Sequence, residues 1–237
     1  MVYCEGPTEW YVIRKLYKYG ILNGDNIAEI DNANVHIINS PSGITKDSIL
    51  NKPEDWNKFF LVYDLEDYPS LSDFANGKFK HLSPWNQVTN NIFCTQHKGK
   101  LVYLHVSNAS SPNGYGDFDG YLRELINTAG PQLLRYIIKN LLPAHIRDLV
   151  TTDMYSSIHQ IGVQEIPTLM QNIEFPIQRS KGYLYAYIVA SQISKSHVWF
   201  SEKIVEIALE NGFVEEVKKV FSSLIEAWDR LIGEQCP

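Results

Sequence analysis

The sequence is poor in cysteine and has no long apolar run. It also lacks the short motifs that mark nucleotide hydrolysis or zinc. Only three cysteines occur, Cys4, Cys94 and Cys236, odd in number and far apart. With no CxxC pair and no Cys/His spacing, they predict neither a zinc site nor a disulfide framework, and they point to a reducing compartment such as the cytoplasm. No window approaches about 18 uninterrupted apolar residues, so no membrane-spanning helix is expected. Residues 1–10 (MVYCEGPTEW) hold no basic segment and no apolar core, so no secretory signal is expected either. GxxxxGK[ST] and GxSxG are absent, which predicts no P-loop NTPase and no serine hydrolase within the chain. The histidines, His36, His105 and His159 among them, show no HExxH or paired spacing and read as strand or surface residues. No repeat or low-complexity tract is present.

What is there describes a folded chain. Of 237 residues, 44% are hydrophobic and 12% aromatic, too many for a disordered polymer. That length suits one large domain, or one domain with an appended subdomain. The formal net charge of −6 argues against broad coating of nucleic acid. It does not exclude a nuclease, whose metal-binding carboxylates themselves make a chain acidic. Residues 201–237 hold eight acids and four bases, so they supply −4 of the −6.

The pattern changes near residue 120, which divides the chain into 1–119 and 120–237. Before that point, short β-rich runs alternate with helical patterns; after it, nearly everything reads as helix. Residues 2–4 form a short apolar run that stops at Glu5-Gly6-Pro7. Thr8 is placed to cap a helix with Trp10, Ile13 and Leu16 on one face and Gly20 as its stop. Residues 35–38 read as a second strand, followed by Ser42-Gly43 and a short helix that begins around Thr45 and Asp47. Residues 59–63 (FFLVY) form an unbroken apolar run, the mark of a strand buried on both faces of a parallel sheet. A fourth strand is expected at 101–106. Strands separated by helices predict an α/β fold, with a mostly parallel sheet flanked by helices and then a helical C-terminal subdomain.

In that subdomain, residues 121–142 are amphipathic, with Gly130-Pro131 expected to break the helix. Asn211-Gly212 should end another. From Phe213 to Ile232 the apolar residues keep helical spacing, as a core-facing stripe does. Asp117 and Asp119 open like a calcium loop, but Thr128 stands where such a loop needs glutamate. They read better as a capped helix start, with a further metal ligand as the alternative.

Two acidic clusters stand where apolar strands end. Glu5 follows the first strand; Asp64, Glu66 and Asp67 follow the most apolar one. In a parallel α/β sheet, ligands gather at the C-terminal strand edge. If those two strands are neighbours, their carboxylates converge, and converging carboxylates raise a pKa or hold a cation. Oxygen donors of this kind suit Mg²⁺ or Mn²⁺. Alternation puts Asp64 and Glu66 on the same side of an extended segment. Gly6 lets a phosphate approach closely, and Thr8 with the first-turn amides offers it a helix N-terminus.

Glu5-Gly6-Pro7-Thr8-Glu9 after a strand, then Asp64-Leu65-Glu66-Asp67 after another, resembles the Toprim domain. That fold is shared by topoisomerases, bacterial-type primases, overcoming-lysogenization-defect nucleases and related phage-defence effectors. Ser42-Gly43 resembles the small-residue turn of the family, and the resemblance covers residues 1–110. It implies that Glu5 is the catalytic glutamate, able also to bind metal, and that Asp64 is the first acid of the family's DxD pair. The second ligand is Glu66, a departure from the pattern, or the adjacent Asp67. One or two Mg²⁺ or Mn²⁺ ions would then polarise a phosphodiester and activate water. Lys46 and Lys78 are candidates by position for contacting the phosphate.

The resemblance thus implies a metal-dependent nuclease acting on DNA or a tRNA-like RNA, an effector of antiviral defence. It implies either a separate ABC-type ATPase partner or independent action, since the chain has no such motif, and the helical half is a candidate docking or homo-oligomer surface. The alternative is a non-catalytic Toprim-like subunit that binds a partner ATPase or nucleic acid.

Overall fold

The apolar run at residues 59–63 becomes the middle of a sheet covered on both sides, and all five residues are fully buried. The computed structural model describes residues 1–24, 35–38, 43–53, 56–65, 68–107, 117–172, 180–234 and 236–237. Ser42, Glu66 and Asp67 lie outside these described residues. No helix of the described residues is long and apolar enough to cross a membrane.

Strands β1 (Val2–Cys4), β2 (Val35–Ile37), β3 (Lys58–Asp64), β4 (Asn86–Thr89), β5 (Ile92–His97) and β6 (Lys100–Ser107) form one six-stranded sheet. Its order is β2-β1-β3-β6-β5-β4. β2, β1, β3 and β6 run parallel, whereas β5 and β4 are antiparallel. The mostly parallel α/β sheet expected from the sequence is therefore present.

Strands β4 and β5 were not foreseen. The signal for the β5–β6 hairpin was the turn at Lys98-Gly99, where φ is 47° and 78°. Paired positive φ values match the twist of a two-residue hairpin loop. Strand β6, read from sequence at 101–106, is thus entered through a hairpin and still pairs parallel with β3.

Alternation sorts the β3 side chains onto two faces. Phe59, Leu61 and Tyr63 join Val102, Leu104 and Val106 of β6 in one core. Phe74 and Ala75 of α3 (Leu71–Lys78), with Phe79 and Leu82, close it. Beyond the opposite face, α1 (Pro7–Lys18) buries Val12, Ile13 and Leu16. The last helix, here called α11 (Ser222–Ile232), sets Trp228 edge-on to Phe60 with ring centroids 5.4 Å apart. The Trp228 indole N–H donates to the Asn23 carbonyl at 2.8 Å, which ties α11 to the segment just after α1. A short helix, α2 (Lys46–Leu50), follows β2; Thr45 caps it by accepting from the Ser48 amide at 3.1 Å.

The cysteines depart from expectation. Cys94 of β5 and Cys236 form a disulfide across a sequence separation of 142. Distance along the chain hid the pair, because the α11 segment returns to the sheet and carries Cys236 with it. Cys4 is buried with a free thiol.

The remaining helices are α4 (Asp119–Leu141), α5 (Ala144–Arg147), α6 (Thr152–Gln160), α7 (Ile166–Asn172), α8 (Ser180–Ala190), α9 (His197–Glu210) and α10 (Val214–Val220). As the sequence predicts, α4 kinks before Pro131, where Gly130 adopts φ 64°. Helix α9 ends at Asn211-Gly212, with Gly212 at φ 90°. A π-helical turn, Ile161–Glu165, joins α6 to α7. Within it a side chain at Gly162 would meet Tyr187 at 2.8 Å, so α8 needs a glycine there to approach.

Contacts divide the chain into two compact units, Met1–Asn108 with Phe221–Pro237, and Ala109–Val220. The boundary drawn on sequence at 119/120 follows secondary-structure character instead. The apolar stripe from Phe213 onward is shared between the units. Val217 and Val220 are buried in α10; Leu224, Trp228 and Leu231 are buried in α11.

Candidate functional site at the C-terminal strand edge

Strand order reverses between β1 and β3, because the chain leaves β1 for β2 on one side and then crosses to β3 on the other. Such a switch point opens a crevice at the C-terminal strand ends, the usual ligand position in open α/β sheets. Glu5 and Asp64 sit there. Cys4 is in register with Val62, and the Glu5 amide donates to the Val62 carbonyl at 3.1 Å, carrying the ladder one residue further. Glu5 Oε2 then accepts the Asp64 backbone N–H at 2.9 Å. The two carboxylate residues named from sequence are therefore neighbours, joined by a direct hydrogen bond.

The sequence reading placed the cap of α1 at Thr8, and the structure corrects this. Gly6 is the N-cap, Pro7 begins the helix and Thr8 is buried within its first turn. Proline suits a first helical position, where its missing N–H costs nothing. Glu9 reaches back so that its Oε2 accepts the Gly6 N–H at 3.1 Å. Gly6 has φ −139° and ψ 178°, ordinary extended backbone. Its small size matters instead for Glu9, whose Oε2 lies 3.1 Å from where a Gly6 Cβ would stand. A buried carboxylate thus already serves the N-terminus of α1, and a phosphate at the Gly6 amide must displace it.

Behind these acids the interior holds protonated groups. Burial, and then the neighbouring Glu9, push the Cys4 thiol well up, so it is no nucleophile. Tyr63 is pushed up by burial first and then by Cys4, Glu5, Glu9 and Tyr3. Its hydroxyl donates to the Ile38 carbonyl at 2.8 Å. Both groups keep their protons beside the carboxylates.

The third strand end adds a residue the sequence reading passed over. Asp64 is in register with Ser107 of β6, and the Leu65 amide donates to the Ser107 carbonyl at 3.0 Å. Ser107 is fully buried, and its hydroxyl has no hydrogen-bond partner among the described residues. An unpaired buried group of this kind costs about 1–3 kcal/mol. The signal in sequence was its place as the first polar residue after the apolar run LVYLHV.

Other residues named from sequence fall elsewhere. Lys46 is exposed at the start of α2. Lys78 ends α3 with its ammonium 5.3 Å from the Tyr68 ring centroid, a cation–π contact. Nothing among the described residues joins either lysine to Glu5 or Asp64. Gly43 is tightly placed, since a Cβ there would lie 2.8 Å from Ile38. Among the described residues no three His, Cys, Asp or Glu side chains gather to hold a metal.

Asp117 takes the capping role. Its two carboxylate oxygens accept the Gly120 and Ser180 amides, each at 2.9 Å, joining the starts of α4 and α8. Asp119 is buried, and its carboxyl rises to about 7, chiefly through that burial. Lys181 opposes the rise and Asp117 adds to it. His105 in β6 is fully buried and held down to about 3 by desolvation. Its Nε2 lies 3.2 Å from the Asn91 amide nitrogen and 3.0 Å from the Ser223 hydroxyl. It is a core histidine.

Comparison with protein-family models, curated proteins and solved structures finds no match.

Proposed function

We propose that this chain is a metal-dependent nuclease of the Toprim type, hydrolysing phosphodiesters of DNA or a tRNA-like RNA in antiviral defence. The observation that carries the reading is the hydrogen bond from the Asp64 amide to Glu5 at adjacent parallel strand ends. The motif resemblance requires those two acids to meet, and the switch point is where ligands of such sheets bind.

The donor set fits a hard divalent cation. Glu5 and Asp64 offer carboxylate oxygens, the ligands Mg²⁺ and Mn²⁺ prefer. Asp64 would hold the ion, together with Glu66 or Asp67. When bound, the ion would polarise the phosphate and lower the pKa of an attacking water. Glu5 would take or give the proton, and its bond to the Asp64 amide keeps it in one orientation. A separate ABC-type ATPase partner, or action without one, remains part of this proposal through the family resemblance alone.

One observation favours the non-catalytic alternative. Glu5 and Glu9 both accept backbone amides, which is also what purely structural carboxylates do. Incubating the purified chain with plasmid DNA and total tRNA, with Mg²⁺, Mn²⁺ or EDTA, separates the two readings. Cleavage that requires the metal supports the nuclease. Metal binding without cleavage on any substrate, even with added ATPase-containing lysate, supports the binding subunit.

A further inference from the structure

The geometry points to Ser107 as a third oxygen of the strand-edge site, held beside Asp64 to bond the water shell of a divalent cation. This inference rests on the metal reading given above. Register partners in a parallel pair point to the same face, so Asp64 and Ser107 share one side of the sheet at its C-terminal edge. The β3–β6 ladder continues past them through the Leu65 amide and the Ser107 carbonyl, which fixes both backbones. Glu5, Asp64 and Ser107 therefore stand at the ends of three successive parallel strands.

A serine hydroxyl both donates and accepts, and buried hydroxyls are normally paired. That of Ser107 is fully buried without a partner among the described residues. Alanine would satisfy the same packing without the unmet hydrogen bond, so packing alone does not explain a serine. A cation held by Asp64 would change this, because its bound water would have protons to donate and Ser107 stands in register one strand over. Outer partners of this kind orient the ligands of a metal and raise its affinity. Ser107 is thus a positioning residue, acting through water on the ion that Asp64 holds.

The test is calorimetric titration of Mn²⁺ into wild type, Ser107→Ala and Tyr103→Phe, with the thermal midpoint of each metal-free protein. Tyr103 is a fair control, being another buried, unpartnered hydroxyl of β6, two register pairs further from the strand end than Val62–His105. The expected result is about tenfold weaker Mn²⁺ binding in Ser107→Ala. Its metal-free midpoint should equal or exceed that of wild type, and Tyr103→Phe should bind Mn²⁺ as wild type does. Unchanged Mn²⁺ affinity in Ser107→Ala overturns the role of Ser107 while leaving the metal site standing. An equal loss in Tyr103→Phe overturns it too, by showing a general effect on the strand. A wild type that binds no Mn²⁺ overturns both this inference and the nuclease reading beneath it.

Discussion

Replacing Asp119 by asparagine should change how stability depends on pH, and the sign follows from burial. In the folded protein the Asp119 carboxyl titrates at about 7 instead of 3.8, chiefly because desolvation penalises its charged form. Lys181 pulls the value down and Asp117 pushes it up. Between those two pH values the fold keeps the proton that the unfolded chain has lost. This contribution is therefore fully present below the unfolded pKa and disappears as pH rises through 7. Asparagine mimics the protonated form at every pH. The unfolding free energy of Asp119→Asn minus that of wild type should then rise by about 2–3 kcal/mol between pH 5 and pH 8.

A difference measurement is needed because His105 works in the opposite direction. Its folded pKa is lowered to about 3, so it costs stability as pH falls below the unfolded histidine value. The term is common to both proteins and cancels. Urea titrations followed by circular dichroism at pH 5, 6, 7 and 8 supply the numbers. A difference that stays constant with pH would refute the reasoning, and with it the burial of an ionisable Asp119.

Two further predictions concern how the sheet unit is held together. Trp228→Ala should lose about 3–5 kcal/mol, read by the urea midpoint, because the ring is buried against Phe60 and bonds Asn23. A loss below about 1 kcal/mol would mean that α11 does not pack on the sheet. Reductant should lower the thermal midpoint of wild type by the equivalent of about 2–4 kcal/mol, through opening of the Cys94–Cys236 cross-link. Cys94→Ala should start from the lower midpoint and ignore reductant; equal sensitivity in both proteins would contradict the pairing.

The central strand was legible because residues 59–63 are apolar without a break, and only burial on both faces calls for that. The kink at Gly130-Pro131 and the stop at Asn211-Gly212 were legible because those residues have few other backbone options. Strand β4 was missed because Asn86–Thr89 is polar and edge-exposed, so no apolar period marks it. The return of α11 to the sheet was invisible for a different reason. Helical spacing runs on through Phe221, and periodicity says which face is buried but not against what. The disulfide was lost with it, since Cys236 meets Cys94 only once that helix has returned.

At the candidate site, the placing of Glu5 and Asp64 at neighbouring strand ends was readable from the strand pattern alone. What each side chain bonds was not. Thr8 has the ordinary chemistry of a cap, yet Gly6 holds that position, because Pro7 starts the helix two residues earlier than a Thr8 cap would and Glu9 reaches back to the Gly6 amide. Ser107 showed only its place as the first polar residue after LVYLHV, which marks a strand end and no role. Its interest comes from register with Asp64 and from a buried hydroxyl without a partner among the described residues, facts that exist only in three dimensions.

The most direct test of the central claim compares wild type with Glu5→Gln and Asp64→Asn in metal-dependent cleavage of plasmid DNA and total tRNA. Both substitutions nearly keep side-chain shape while removing charge, and circular dichroism confirms folding. The account predicts at least a hundredfold loss of Mg²⁺- or Mn²⁺-dependent cleavage in each folded variant, the scale on which a general base or metal ligand acts. Cleavage by either variant at the wild-type rate would contradict it.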